Sequence, residues 1–237
     1  MLKKHLPLIL LLNVTGIVLY LSWHLPAGHG AWFTLDKDIF FWFNDRLTSN
    51  KPLLWTIAIT NFRAFDVVSL LAMGGLYYSY WRQQTAQGRR RMFAIGITML
   101  ITAVVLNQLG HLLPDSRPSP TKFFAHVNHA AELTGIPAKD SSADSFPGDH
   151  GMMLIIFACF MWRYFGLRAF AISAVIVLVF GLPRLMIGAH WFSDIAVGSM
   201  SVVLVCLSWW LLTPASDWLL KLVYRYQPYK FQTTNDH

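Results

Sequence analysis

The chain has 237 residues, of which 55% are hydrophobic and 13% charged, and its mean hydropathy is +0.44. That composition excludes an ordinary soluble domain and implies an integral membrane protein. The formal net charge of +7 does not make it a nucleic-acid binder, because no basic stripe is present and basic residues beside apolar runs set topology.

Six apolar runs predict transmembrane helices over about 6–25, 65–81, 92–113, 150–166, 169–187 and 195–213, so the expected fold class is an all-α polytopic membrane protein. The first run follows Lys3 and Lys4 as in a signal peptide, but no small-residue cleavage site comes after it. It is read as a retained helix. The segment 27–51 sets Trp32, Phe33, Phe40, Phe41, Trp42 and Phe43 among Asp36, Asp38 and Asp45, which suits either an amphipathic helix in the headgroup layer or an aromatic belt.

Ahead of the second span, Asn61, Arg63 and Asp66 interrupt an apolar stretch that begins at Leu53. Arg63 and Asp66 stand at i and i+3, where a helix salt bridge is the default and a substrate contact the alternative. The loop 114–149 is rich in Pro, Ser, His and Asp, and a connection of that length is either functional or disordered. His111, His126 and His129 read as ordinary loop histidines, and Asn107 and Gln108 as helix-packing residues. Cys159 and Cys206 lie inside apolar runs and read as small buried hydrophobes.

With the N-terminus in the cytoplasm, 11 of the 19 basic residues fall on that side: Lys3, Lys4, Arg82, Arg89, Arg90, Arg91, Arg163, Arg168, Lys221, Arg225 and Lys230. The segments 26–52 and 114–149 and the turn from Arg184 to Asp194 then share the opposite face.

Three polar clusters meet on that face: Asp115-Ser-Arg-Pro-Ser-Pro120, Ser145-Phe-Pro-Gly-Asp-His-Gly151, and Arg184 to Asp194. In the third, the order Arg-x5-His-x3-Asp would put His190 and Asp194 on one face of a helix. There a carboxylate fixes the tautomer of the imidazole and raises its basicity. Arg184 adds a planar fork of donors suited to phosphate. In the second, the backbone N–H groups near Gly148 open an apolar helix and can face an anion, and His150 can then give a proton to a leaving oxygen. The alternative is that Ser145 or Asp149 caps the helix and His150 is a surface residue.

Taken together, the clusters resemble the type 2 phosphatidic acid phosphatase superfamily, whose pattern is Lys-x6-Arg-Pro, then Pro-Ser-Gly-His, then Ser-Arg-x5-His-x3-Asp. Arg117-Pro118, Pro147, His150, Arg184, His190 and Asp194 match it, and the likeness covers roughly residues 92–213. Three positions depart from it: Gly110 stands where the lysine belongs, Gly148-Asp149 replaces Ser-Gly, and Pro183 replaces the serine. The stretches Asn61–Asp66, Leu106–Gly110, Lys139–Gly151 and Pro183–Asp194 resemble a branch of that superfamily, the lipid A phosphotransferases of Gram-negative inner membranes.

The resemblance implies transfer of a phosphoryl group from undecaprenyl diphosphate to the 1-phosphate of Kdo2-lipid A on the periplasmic face, through a phosphohistidine. In that scheme His190 is the nucleophile, Asp194 its orienting carboxylate and His150 the proton donor. Arg117, Arg184 and the Gly148 N–H bind phosphate; for the missing lysine, either the substrate differs or another group such as Lys122 or Arg63 compensates, and Asp149 is a further candidate substrate contact. No metal-ligand pattern such as HExxH is present, and no cofactor is expected. A hydrolase of the same superfamily would use every one of these residues, and a transporter is disfavoured because the charges collect at one face. No protein partner is indicated.

Overall fold

The structure is a computed structural model that describes residues 2–227, and among these the chain is helical with connecting segments and no strand. Lys230, counted above with the cytoplasmic residues, lies outside them. The helices are α1 (Leu2–His24), α2 (Gly30–Asn44), α3 (Lys51–Thr60), α4 (Phe65–Trp81), α5 (Ala86–Gly110), the short α6 (Pro120–Phe123) and α7 (Ala130–Thr134), α8 (Asp149–Phe165), α9 (Leu167–Met186), α10 (Asp194–Leu212) and α11 (Ala215–Arg225). Four segments are long and apolar enough to cross a membrane: Lys3–His24, Ala86–Gly110, Leu167–Met186 and Asp194–Leu212. The other two expected spans, α4 and α8, are helices of 17 residues each, about 25 Å at 1.5 Å per residue.

One boundary differs from expectation for a local reason, and one break falls where the polar residues of the sequence stand. The Arg89-Arg90-Arg91 cluster, expected in a loop, forms the first turns of α5, because the Thr85 side chain accepts the Gly88 N–H and starts the helix early. The apolar stretch 53–81 is not one helix but two. It breaks at Asn61, which is fully buried and sends its side-chain amide to the carbonyls of Ile57 and Pro183.

Ala94, Ile95 and Leu106 of α5 pack with Met152, Ile156 and Phe160 of α8 and with Val203 and Leu207 of α10, and all eight are buried. Around this core Leu11, Val14, Leu70, Leu71, Val104, Val175 and Leu178 point outward and are more than half exposed. Such an apolar belt suits lipid and would be a liability in water. The ends of the bundle differ in kind. At one, the start of α5 and the end of α8 meet α11, where Arg163 pairs with Asp217 at 3.1 Å. At the other, the end of α5, the start of α8, the end of α9 and the start of α10 converge, and the chemistry-bearing clusters lie there.

The turn that delivers the third cluster depends on Gly188, whose φ is +83°. A Cβ there would stand 2.5 Å from Phe40 Cε2 and 2.8 Å from Thr121 Cγ2. Gly188→Ala therefore carries both backbone strain and a clash, and we expect it to cost about 2–4 kcal/mol. Thermal unfolding in detergent should show a clear fall in the midpoint; an unchanged midpoint would show that the turn has another solution.

Candidate active site

His190 is not on a helix. It sits in the bend between α9 and α10, so its relation to Asp194 is not the shared helix face that the spacing suggests. Asp194 opens α10, and its Oδ2 accepts the Trp191 backbone N–H at 2.9 Å, which folds the four-residue gap into a capped turn. The two side chains still meet: His190 Nδ1 is 3.3 Å from Asp194 Oδ2 and 3.0 Å from the carbonyl oxygen of Ser145. A backbone carbonyl can only accept, so Nδ1 carries the proton and Nε2 keeps its lone pair. The tautomer is thus set jointly by the carboxylate and by a carbonyl from the second cluster. No pattern of side chains in the sequence reports that carbonyl.

Behind this ring is a buried charge network. Asp194 is fully buried and accepts from Arg117 Nε at 3.1 Å and Nη2 at 2.8 Å. Arg117 Nη1 donates to Asp36 Oδ2 at 3.1 Å, and Nη2 also donates to Ser193 Oγ. The guanidinium lies between the rings of Trp23 and Trp191, 5.1 and 4.8 Å from their centroids. All three of its nitrogens are committed to the protein, which differs from the phosphate-binding role expected for Arg117.

Asp36, in α2, shares a buried face with Phe40 and Asn44 at i, i+4 and i+8. It also accepts the Ser193 N–H at 2.8 Å. Burial pushes the Asp36 carboxyl above its ordinary range, while Arg117 and the Ser193 donors pull it down. Sequence reasoning missed this residue, although two polar side chains on the inward face of an aromatic-rich helix are a detectable signal. Asp36 thus reaches the ring only indirectly, through Arg117 and Ser193 to Asp194, the carboxylate that contacts His190.

A cavity of about 350 Å³ opens in front of the ring and is lined by His190, His150, Arg184, Lys139, His111, Asp149, Asn107 and neighbours. Arg184 is 4% exposed, pairs through Nη2 with Asp66 Oδ1, and leaves Nη1 with no partner although it is buried. An orphaned guanidinium nitrogen is costly unless a ligand satisfies it. Asp66 is also 3.8 Å from His150 Nε2. The expected Arg63–Asp66 salt bridge is therefore replaced by pairing with Arg184, and among the described residues Arg63 is exposed and outside the cavity lining.

Lys122 is likewise exposed on α6 and outside the lining. Gly148, at φ +85°, caps α8, and its carbonyl accepts from Ser199 Oγ at 2.8 Å. It is buried against Asp194, so the groups that reach the cavity are the next two residues, Asp149 and His150. Asp149 accepts from or pairs with His111 Nε2 at 3.1 Å, which takes His111 out of the class of ordinary loop histidines.

Residues 91–218 match the family described as the PAP2 superfamily. The chain is 57% identical over 218 residues to the Lipid A 1-diphosphate synthase of Escherichia coli (strain K12), with 92% of each chain covered. It is 28% identical over 155 residues to YbjG of the same strain, which carries the name of an undecaprenyl-diphosphatase, with 65% of this chain and 72% of that one covered. No solved structure matches.

Proposed function

Because the chain belongs to the PAP2 superfamily, we propose that it is a membrane phosphotransferase that moves the terminal phosphoryl group of undecaprenyl diphosphate onto the 1-phosphate of Kdo2-lipid A. The observation that carries the reading is that one cavity is lined by His190, whose Nδ1 is held by a carbonyl and a carboxylate, and by the guanidinium of Arg184, a buried cation suited to phosphate. The 57% identity to a lipid A 1-diphosphate synthase supports the choice of lipids.

In the first half-reaction, Nε2 attacks the terminal phosphorus and the bond to the bridging oxygen breaks. The electron pair goes to the departing lipid phosphate, which His150 can protonate. The product is a phosphohistidine whose ring is cationic because Nδ1 keeps its proton. The Asp194 carboxylate beside Nδ1 stabilises that cation, and Arg184 neutralises equatorial oxygens in the transition state. In the second half-reaction an oxygen of the acceptor phosphate attacks the same phosphorus, and the pair returns to Nε2. Arg117 holds Asp194 and through it the ring, and is a positioning residue in this scheme. In this reading the chain crosses an inner membrane six times from a cytoplasmic N-terminus and works on the periplasmic side, which the collection of basic residues at the end of the bundle opposite the cavity supports.

The test is purified protein with terminally labelled undecaprenyl diphosphate, with and without lipid A. Label on lipid A is the expected result. Label released only as free phosphate would replace the transferase with a hydrolase that uses the same residues, and no movement of label would sink both.

A further inference from the structure

The family's motif lysine cannot be restored at its own position. A Cβ on Gly110 would meet Met152 Cε and Pro147 Cγ, each at 2.9 Å, so the core fills the space a long side chain would need. A lysine nevertheless lines the cavity: Lys139, from the loop between α7 and α8. It is held from its backbone. Its N–H donates to the Asn61 carbonyl at 3.0 Å, and the preceding residue Ala138 forms an isolated antiparallel bridge with Phe62. The Asn61 side chain in turn binds the carbonyl of Pro183 at 2.9 Å, immediately before Arg184. One buried asparagine thus sets the positions of two cations on the cavity wall.

We infer that Lys139 binds the phosphate on the far side of the scissile bond, forming a phosphomonoester subsite used first by the departing lipid phosphate and then by the acceptor. This rests on the phosphotransferase reading above. The placement argues for it: Arg184 and Lys139 are the two permanent cations among the cavity-lining residues, Arg184 serves the transferred phosphoryl group in the scheme above, and Lys139 shares the cavity wall with His150, the leaving-group histidine.

The chemistry argues for it too. When a diphosphate is cleaved, the group that leaves is a phosphate monoester. Its second pKa is about 6, so it departs largely as an anion at neutral pH. What it needs is a cation more than a proton. The acceptor is also a phosphate monoester, with the same charge and the same three oxygens. One site can therefore be emptied by the departing phosphate and refilled by the incoming one. In the forward step the P–O bond to the bridging oxygen breaks as N–P forms, and Lys139 holds the phosphate that takes the electron pair. In the second step the oxygen that attacks belongs to the phosphate in that same subsite.

The side chain of Lys139 is exposed and its structural bond is through the backbone, so Lys139→Gln should fold. The experiment compares wild type, Lys139→Gln and Lys139→Arg on undecaprenyl diphosphate and undecaprenyl monophosphate donors, and follows label into lipid A and into free phosphate. The expected result is that Lys139→Gln raises KM for the diphosphate about tenfold, the loss of one charge-assisted contact, and, without acceptor, leaves KM for the monophosphate, which has no phosphate beyond its scissile bond, unchanged. Its ratio of transfer to hydrolysis should fall, and Lys139→Arg should restore most of both. Equal losses on the two donors, or no change on either, would overturn the subsite. If wild type sends label only to water, the transferase reading fails, and the preference between the two donors still decides the role of Lys139.

Discussion

His190→Ala should lower phosphoryl transfer by about four orders of magnitude or more, because it removes the atom on which the covalent intermediate forms rather than one contact to it. Wild-type protein given labelled donor without acceptor should carry label that is lost in acid and stable in base, as expected of a phosphohistidine. The variant should carry none. Retention of even a few per cent of transfer, or label that persists in the variant, would move the nucleophile elsewhere.

Asp194→Asn should separate the two supports of the ring. The Ser145 carbonyl at 3.0 Å continues to hold the proton on Nδ1, so the tautomer survives. What is lost is the negative charge beside the phosphorylated ring, and the expected fall is about 10²–10³. A fall as large as that of His190→Ala would mean that the carboxylate, not the carbonyl, fixes the tautomer.

Much of this site was legible in the sequence, and the rest was hidden for a physical reason. Side chains announce themselves by type and spacing, so His190, Asp194, Arg184 and His150 could be named from the chain alone. The partners that decide their chemistry could not. The carbonyl of Ser145 has no residue signature, and Asp36 lies far away in a helix whose aromatic residues read as interfacial.

The sequence offers Lys122 and Arg63 as compensation for the missing lysine, and both lie exposed and outside the cavity lining. Distance along a loop does not say which residue the fold turns inward. The backbone pairing of Phe62 with Ala138 brings Lys139 to the cavity instead. The fold was more transparent, since hydrophobic length reports helices directly. The break at Asn61 is visible there too as a run of polar residues, and only the early start of α5 is set by a group, the Thr85 cap, that the apolar pattern does not weigh.

Arg117 and Arg184 occupy equivalent-looking motif positions, yet the structure gives them opposite environments, and Arg→Lys at each should separate them. At Arg117 the guanidinium serves Asp36, Asp194 and Ser193 at once and lies between two indole rings. An ammonium keeps the charge but cannot fork to both carboxylates, so one is left buried and poorly paired, at a cost of about 3 kcal/mol. The expected signature of Arg117→Lys is a lower unfolding midpoint and a lower kcat with KM for the donor little changed, because the residue reaches the substrate only through Asp194 and His190. At Arg184, a cavity-lining residue, one nitrogen pairs with Asp66 and another is buried without a partner. Arg184→Lys should leave the unfolding midpoint near wild type and raise KM for the donor about tenfold, since the second donor has nothing to replace it. If Arg117→Lys instead raised KM with no loss of stability, Arg117 would touch the phosphate directly, and the buried network would have to open on binding substrate.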